Sequence, residues 1–190
     1  MSKDMLFIFT RAPRLGRGKR RLAREVGARA ALRFHVAVLH RLARAAARDG
    51  RFRTVLAVTP DRGFIAGLHG IARIGQGHGD LGARMARVLG RGRRAVLVGS
   101  DIPAAGVADV VAAFRALGRA DAVFGPAADG GYWLVGFGPR RVARPFAGVR
   151  WSTAHALADT LENFAGKRVA FVRTLRDVDT AADLALCGIA

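Results

Sequence analysis

A chain of 190 residues and 20.2 kDa, 51% hydrophobic and 24% charged, has the length of one ordinary domain and enough apolar residues for a sizeable core, which excludes wholesale disorder. Its one cysteine, Cys187, excludes an internal disulfide framework and a cysteine-based zinc site and fits a reducing compartment. No apolar run approaches the roughly 18 residues of a membrane span, so a soluble cytoplasmic protein is expected.

Met5–Phe9 is a near-continuous apolar run, too short for a signal-peptide core and suited to a strand buried on both faces. A basic loop punctuated by Gly and Pro, Arg11–Arg20, leads into a long helix expected from Arg21 to Arg48 and stopped by Asp49-Gly50. Its apolar stripe is expected at Leu32, Val36, Leu39, Ala43 and Ala46, with Arg33, Arg41, Arg44 and Arg48 on the wet side. Thr54–Thr59 is the next strand, closed by Pro60. A short helical piece near Asp61–His69 and a weak strand Ile71–Ile74 follow, then the glycine-rich segment Gly75–Gly82 and a helix to Leu89. Ala95–Gly99 reads as a central strand, Ala105–Leu117 as a helix, Ala122–Gly125 and Tyr132–Phe137 as strands. Thr153–Phe164 reads as a helix, Val169–Val172 as a final strand and Thr180–Leu186 as a final helix. There is no repeat and no interdomain linker, so residues 1–190 are expected to form one domain.

This alternation predicts an α/β fold: a mostly parallel central sheet with helices on both faces, whose ligands gather at the carboxyl ends of the strands. Arg11–Lys19, Asp101 and Asp129-Gly130-Gly131 all follow strands and would share that edge.

The charge balance points the same way. Lys and Arg total 32 against 14 acids, a net +18, and residues 11–53 hold fourteen of those bases with only Glu25 and Asp49 against them. Arginine-rich coding and solvated helix faces account for much of this. A nucleic-acid surface, an anionic membrane surface and a phosphate-bearing substrate remain open readings.

In the first loop, Gly16 and Gly18 allow backbone N–H groups to approach an anion, and Lys19 at the helix start can neutralise phosphate oxygens. Pro13 and Arg20 stand where a Walker A loop needs Gly and Ser/Thr. An ordinary basic turn would look much the same. Gly77-His78-Gly79-Asp80-Leu81-Gly82 matches GxGxxG, with Asp101 at about the spacing of a dinucleotide fingerprint. Its preceding strand is weak and is not the first of the chain, which argues against a nicotinamide cofactor.

Asp101 follows a fully apolar strand, where a carboxylate suits Mg²⁺ or Mn²⁺ or else caps a turn. Asp129 carries the same two readings, with Gly130 and Gly131 permitting close backbone approach. His35 and His40 do not share a helix face and read as surface or core histidines; His69, His78 and His155 lack metal-ligand spacing. Ser2, Ser100 and Ser152 are the only serines and none lies in GxSxG, so a hydrolase triad is not expected. Cys187 reads as structural.

Taken in order, several segments resemble a bacterial family of small GT-A-type transferases grouped as a domain of unknown function (DUF2064), within the nucleotide-diphospho-sugar transferase superfamily. They are Gly16–Leu22, Gln76–Met85, Gly99-Ser100-Asp101-Ile102-Pro103 and Gly125–Tyr132, then Trp151-Ser152-Thr153 and Asp177–Leu184. The resemblance covers essentially the whole chain. It implies a Rossmann-like GT-A fold and transfer from a nucleotide-activated donor, a nucleotide sugar or a nucleoside triphosphate, to a small-molecule acceptor that the sequence does not name. Arg11, Gly16, Gly18, Lys19 and Arg21 would hold phosphates; Gln76, Gly77, Gly79, Asp80 and Arg84 would line the base and ribose pocket. Ser100, Gly130 and Gly131 would also contact the donor. Asp101 would bind the divalent metal, Mg²⁺ or Mn²⁺, with Asp129 as its second carboxylate or as the group serving the acceptor. Asp129 and Lys19 would be catalytic. No specific nucleic acid is implied, and a homodimer is left open. Arg11 replaces the family's usual Lys, which keeps the positive charge, and Arg20 its usual Thr, which adds to it. Gly99 replaces the first carboxylate of the Asp-x-Asp motif, a pattern shared with nucleotidyltransferases. The remaining reading is a polyanion-binding module driven by charge alone.

Overall fold

The computed structural model describes residues 4–178 and 180–186. Cys187 and Asp179 of the closing motif lie outside the described residues.

Seven strands form one sheet: β1 (Asp4–Arg11), β2 (Phe52–Thr59), β3 (Ala72–Gly75), β4 (Ala95–Gly99), β5 (Ala122–Pro126), β6 (Tyr132–Phe137) and β7 (Val169–Phe171). Their order is β3-β2-β1-β4-β6-β5-β7, and every pairing is parallel except those of β6, which runs antiparallel to both β4 and β5. The chain builds outward from β1 to β3 on one side, then crosses to β4 on the other. The carboxyl ends of β1 and β4 therefore border the switch point, where such sheets open a crevice.

Side chains alternate along β1 as the pleat requires. Leu6 and Ile8 join one core with Leu56, Val96, Val98, Val123 and Leu134, while Phe7 joins the other with Val55, Leu97, Phe124 and Val135. Helices α2 (Ala28–Ala47) and α4 (Val107–Ala116) cover the first face through Leu39, Leu42, Ala43, Val110 and Ala113. Helix α3 (Leu81–Leu89) covers the second through Met85, Val88 and Leu89, and α5 (Ala156–Glu162) adds Leu157 and Leu161. A smaller cluster of Leu22, Ala31, Phe34, Val38 and Val178 holds α1 (Arg20–Val26) and α6 (Ala181–Leu186) to α2.

The expected 21–48 helix is two helices. Gly27, at φ 84° and ψ 151°, breaks it between α1 and α2, a conformation that suits glycine alone. The restart shifts the buried stripe of α2 to Ala31, Phe34, His35, Val38, Leu39, Leu42, Ala43 and Ala46, whereas Leu32 and Val36 are half-buried. Residues 61–69 form turns rather than the expected helical piece, and the last strands and helices begin or end within three residues of expectation. Among the described residues no helix is long and apolar enough to cross a membrane.

Candidate active site

A cavity of about 690 Å³ opens along the carboxyl edge of the sheet, with walls that begin where the strands stop. This volume is ordinary for a small-molecule site. Thr10 and Arg11 come from the end of β1, Gln76 follows β3, and Ser100 and Asp101 follow β4. Asp129 follows β5, Tyr132 opens the antiparallel β6 and Asp177 lies beyond β7. The antiparallel strand contributes through its start, which its reversed direction places on this same edge.

Lys19 and Asp101 meet at the switch point. The Lys19 ammonium lies 3.1 Å from Asp101 Oδ2 and donates a 2.7 Å hydrogen bond to the carbonyl of Val178. Its side chain is only 9% exposed, against 44% for Asp101, so the cation is the enclosed member of the pair. Lys19 holds a left-handed backbone conformation at φ 41°, which costs a non-glycine residue roughly 1–2 kcal/mol. Such strain persists where surrounding contacts over-determine it; here those contacts aim the ammonium at Asp101.

Beneath this pair lies a buried polar cluster. Ser100 Oγ donates to Thr10 Oγ1 at 2.8 Å, Thr10 Oγ1 donates to the Arg11 carbonyl at 3.1 Å, and His35 Nε2 lies 3.3 Å from Thr10 Oγ1 and 3.5 Å from Ser100 Oγ. The hydroxyl protons are all accounted for when Nε2 carries the imidazole proton. Burial holds the His35 pKa below its ordinary value, partly opposed by Asp101 and reinforced by Lys19, so the ring is neutral at neutral pH.

The opposite wall carries Arg84. Gln76 is fully buried; its amide nitrogen donates to the carbonyls of Thr10 (3.0 Å) and Ala57 (2.9 Å), and its oxygen accepts from Arg84 Nη1 at 3.0 Å. Both ends of the amide are thus engaged by the protein, and what faces the cavity is the half-buried Arg84, lying over the Phe9 ring at 6.0 Å. The remaining wall is aromatic. Tyr132 and Trp151 meet edge to face with centroids 6.4 Å apart. Burial pushes the Tyr132 phenol well above its ordinary range, which leaves it protonated. The preceding residue, Arg150, is tied to the buried Asp159 by hydrogen bonds of 2.7 and 2.9 Å, which steadies the Trp151–Thr153 segment.

Of the residues singled out in the sequence, Arg11, Gly18, Lys19, Arg21, Gln76 and Arg84 line this cavity, as do Ser100, Asp101, Asp129 and Gly131. Gly16 lines a smaller neighbouring cavity instead. Gly77, Gly79, Asp80 and Gly130 line neither. They support the walls: Asp80 caps α3 through a 2.7 Å bond from the Ala83 N–H, and Gly77 packs on the Arg87 guanidinium. At Gly130, φ is 85° and a Cβ would fall 2.2 Å from the Ala154 carbonyl oxygen. Thr10, His35, Asp177 and Trp151 line the cavity without having been given a role in the sequence. For Thr10 the signal was there, since a hydroxyl ending a buried apolar strand at the ligand edge has few other uses.

The family model described as an uncharacterized protein conserved in bacteria (DUF2064) matches residues 22–153. The chain belongs to the DUF2064 family. Among solved structures, this DUF2064 protein is similar to a Desulfovibrio desulfuricans G20 protein provisionally named a nucleotide-diphospho-sugar transferase. That likeness has a TM-score of 0.87 and 29% identity over 97% of this chain and 85% of that one. More distant likenesses show the fold alone. A 4-diphosphocytidyl-2C-methyl-D-erythritol synthase from Anaerococcus prevotii DSM 20548 has a TM-score of 0.61 and 11% identity over 98% and 96% of the two chains. The Mycobacterium tuberculosis H37Rv protein Rv0371c, solved in complex with manganese, has a TM-score of 0.55 and 18% identity over 98% of each chain. No curated protein matches this chain significantly. The DUF2064 protein thus carries the GT-A-like fold of the nucleotide-diphospho-sugar transferase superfamily.

Among the described residues no three His, Cys, Asp or Glu side chains gather closely enough to hold a metal ion by themselves. The carboxylates that line the cavity, Asp101, Asp129 and Asp177, are hard oxygen donors. They fit Mg²⁺ or Mn²⁺ only as part of a shared coordination, completed by phosphate oxygens and water.

Proposed function

We propose that this DUF2064 protein is a metal-dependent transferase that takes a glycosyl group from a nucleotide sugar. The observation that carries the reading is the juxtaposition of Lys19 and Asp101, 3.1 Å apart at the switch point of the sheet and on one wall of the 690 Å³ cavity. A lone ammonium would serve any anion and a lone carboxylate any cation. Together they suit the two halves of a metal–diphosphate, and Arg11 and Arg21 line the same space.

In this reading Asp101 and Asp129 would hold a divalent cation, which when bound offsets the negative charge that grows on a departing diphosphate. Lys19 exchanges part of its contact with Asp101 for a diphosphate oxygen, and Arg11 and Arg21 orient the chain of phosphates. Arg84, fixed by Gln76, meets the nucleoside. The acceptor hydroxyl oxygen attacks the anomeric carbon as the bond from that carbon to the diphosphate oxygen breaks. The electron pair leaves with the diphosphate, and Asp129 takes the hydroxyl proton. The aromatic wall of Tyr132 and Trp151 excludes water from the reacting sugar. The single cysteine supports a cytoplasmic setting.

A second reading, nucleotidyl transfer with release of pyrophosphate, is favoured by Gly99, which leaves Asp101 as the lone carboxylate of its motif. The products separate the two. The protein is incubated with Mn²⁺ and a panel of nucleotide sugars and nucleoside triphosphates, scoring thermal stabilisation first and then nucleoside diphosphate against pyrophosphate. Glycosyl transfer predicts stabilisation by a nucleotide sugar with Mn²⁺, release of the diphosphate, and loss of both in Asp101→Ala and Lys19→Ala. Pyrophosphate as the product selects the second reading. Indifference of ligand binding to both substitutions, with tight salt-sensitive binding of duplex DNA, overturns the transferase.

A further inference from the structure

Beside the large cavity is a second one of about 210 Å³, and the two share Gly18, Lys19 and His35 in their walls. The basic loop and α1 divide their charges between them. Arg11 and Arg21 line the large cavity, whereas Arg14, Arg17 and Arg24 line the small one. The loop achieves this by folding back on itself: Arg14 and Arg17 form an isolated antiparallel bridge, with the Arg17 N–H donating to the Arg14 carbonyl at 3.0 Å. The floor is made of small apolar residues of α1 and α2, among them Ala23, Ala28 and Ala31, and among the described residues no carboxylate lines it. Among the described residues, Arg14, Arg17 and Arg24 have no carboxylate within ion-pair distance. Among the described residues, Arg51, Arg140, Arg150 and Arg173 each hold an aspartate. The adjacent Glu25 is turned away and accepts from the Ala181 N–H at 2.7 Å.

Arg14, Arg17 and Arg24 are exposed residues that line one concavity, and an anion seated there would offset their like charges. Guanidinium favours planar, bidentate oxyanion recognition, and three of them suit a phosphate dianion. The cavity is smaller than the ~300 Å³ at which whole-ligand sites usually begin, so it fits a headgroup rather than a second nucleotide. We infer that Arg14, Arg17 and Arg24 form an oxyanion site for the phosphate group of a phosphorylated acceptor, whose reactive hydroxyl reaches past Lys19 into the large cavity. The acceptor role rests on the transferase reading above; the anion site rests only on the arginines.

The test compares the wild type with an Arg14→Gln, Arg17→Gln, Arg24→Gln triple variant by titration calorimetry. Glycerol 3-phosphate and inorganic phosphate serve as probes, with and without Mn²⁺ and the nucleotide that stabilises the wild type. The expected result is phosphomonoester binding that persists when the nucleotide is present and weakens at least tenfold in the triple variant, while the variant keeps its nucleotide-induced thermal shift. Retention of that shift also shows that the variant is folded. Equal binding of both probes by wild type and variant overturns the site. Competition between glycerol 3-phosphate and nucleotide also overturns it, because the arginines then belong to the donor. So does binding of a 20-base-pair duplex that the triple variant loses when neither probe binds the wild type. If no nucleotide binds the wild type while the phosphomonoester still depends on the three arginines, the anion site stands and the transferase reading falls.

Discussion

The Lys19 ammonium and the Asp101 carboxylate stand 3.1 Å apart at the break between the two halves of the sheet, with Lys19 also bonded to the Val178 carbonyl at 2.7 Å. β1 delivers the lysine through the basic loop, at the N-cap of α1, and β4 delivers the aspartate directly. The distance between them is therefore set by the ladder that joins Phe9 to Gly99 rather than by either loop alone.

A double-mutant cycle on Lys19→Met and Asp101→Asn measures that relationship. Asp101 is partly solvated, so the coupling in urea unfolding of the unliganded protein is expected at about 1 kcal/mol. Each single variant is expected to lower kcat/KM by roughly 10²–10³, the scale for losing a preorganised charge contact in the transition state. Full activity in Lys19→Met would remove the lysine from the mechanism.

The cluster under the pair supports position rather than chemistry. Replacing His35 by Phe keeps the ring volume but leaves Thr10 Oγ1 and Ser100 Oγ short of one polar neighbour. A loss of about 1–3 kcal/mol is expected, read as a lower denaturation midpoint, with each kcal/mol lowering Tm by roughly 2–4 °C. A Ser100→Ala, His35→Phe double variant is expected to lose less than the sum of the two singles, because both act on the same Thr10 hydroxyl.

Gln76 makes a sharper contrast. Gln76→Leu removes three hydrogen bonds from a fully buried position and frees Arg84 from its anchor. Stability is expected to fall by about 1–3 kcal/mol and donor KM to rise more than kcat falls. Arg84→Lys keeps the charge and Gln76, and is expected to raise donor KM with stability nearly unchanged. A matching loss of stability in Arg84→Lys would make the arginine a structural strut.

Acid should loosen the fold over a defined range. Asp159, through hydrogen bonds from Arg150, and Asp121, through those from the Arg168 backbone and Arg140, are held at about 2 against an ordinary 3.8. Depressed carboxylates stabilise the fold above the ordinary value, and that contribution is lost as pH falls toward the folded-state pKa. Unfolding free energy is therefore expected to drop between about pH 4 and pH 2. Asp159→Asn should be less stable at pH 7 and show a shallower acid slope, checked by urea titrations at each pH.

Much of the framework was legible because buried strands announce themselves as apolar runs. Ala95–Gly99 and Tyr132–Phe137 match the observed strands to the residue. Strand direction is written in connection length instead: residues 127–131 are too few for a crossover helix, so β6 must run antiparallel to β5. The break at Gly27 was hidden because the apolar periodicity continues on both sides of it. Lys19, Asp101 and Asp129 were singled out by their place after strands and by resemblance, and all three line the large cavity. Arg14 and Arg17 were indistinguishable from Arg11 in the sequence, since only the bridge between them decides which cavity each one meets. His35 needed its hydroxyl partners, which arrive from β1 and from beyond β4.

The hydrogen bond from Lys19 to Val178 spans 159 residues, and Val178 is itself sealed in the cluster with Leu22 and Phe34. During synthesis the loop that carries Lys19 leaves the ribosome 159 residues before its carbonyl partner. Domains fold as units on the way out, yet this site cannot be assembled until residue 178 has emerged. A nascent chain stalled before residue 178 would hold a largely paired sheet and remain unable to grip a ligand.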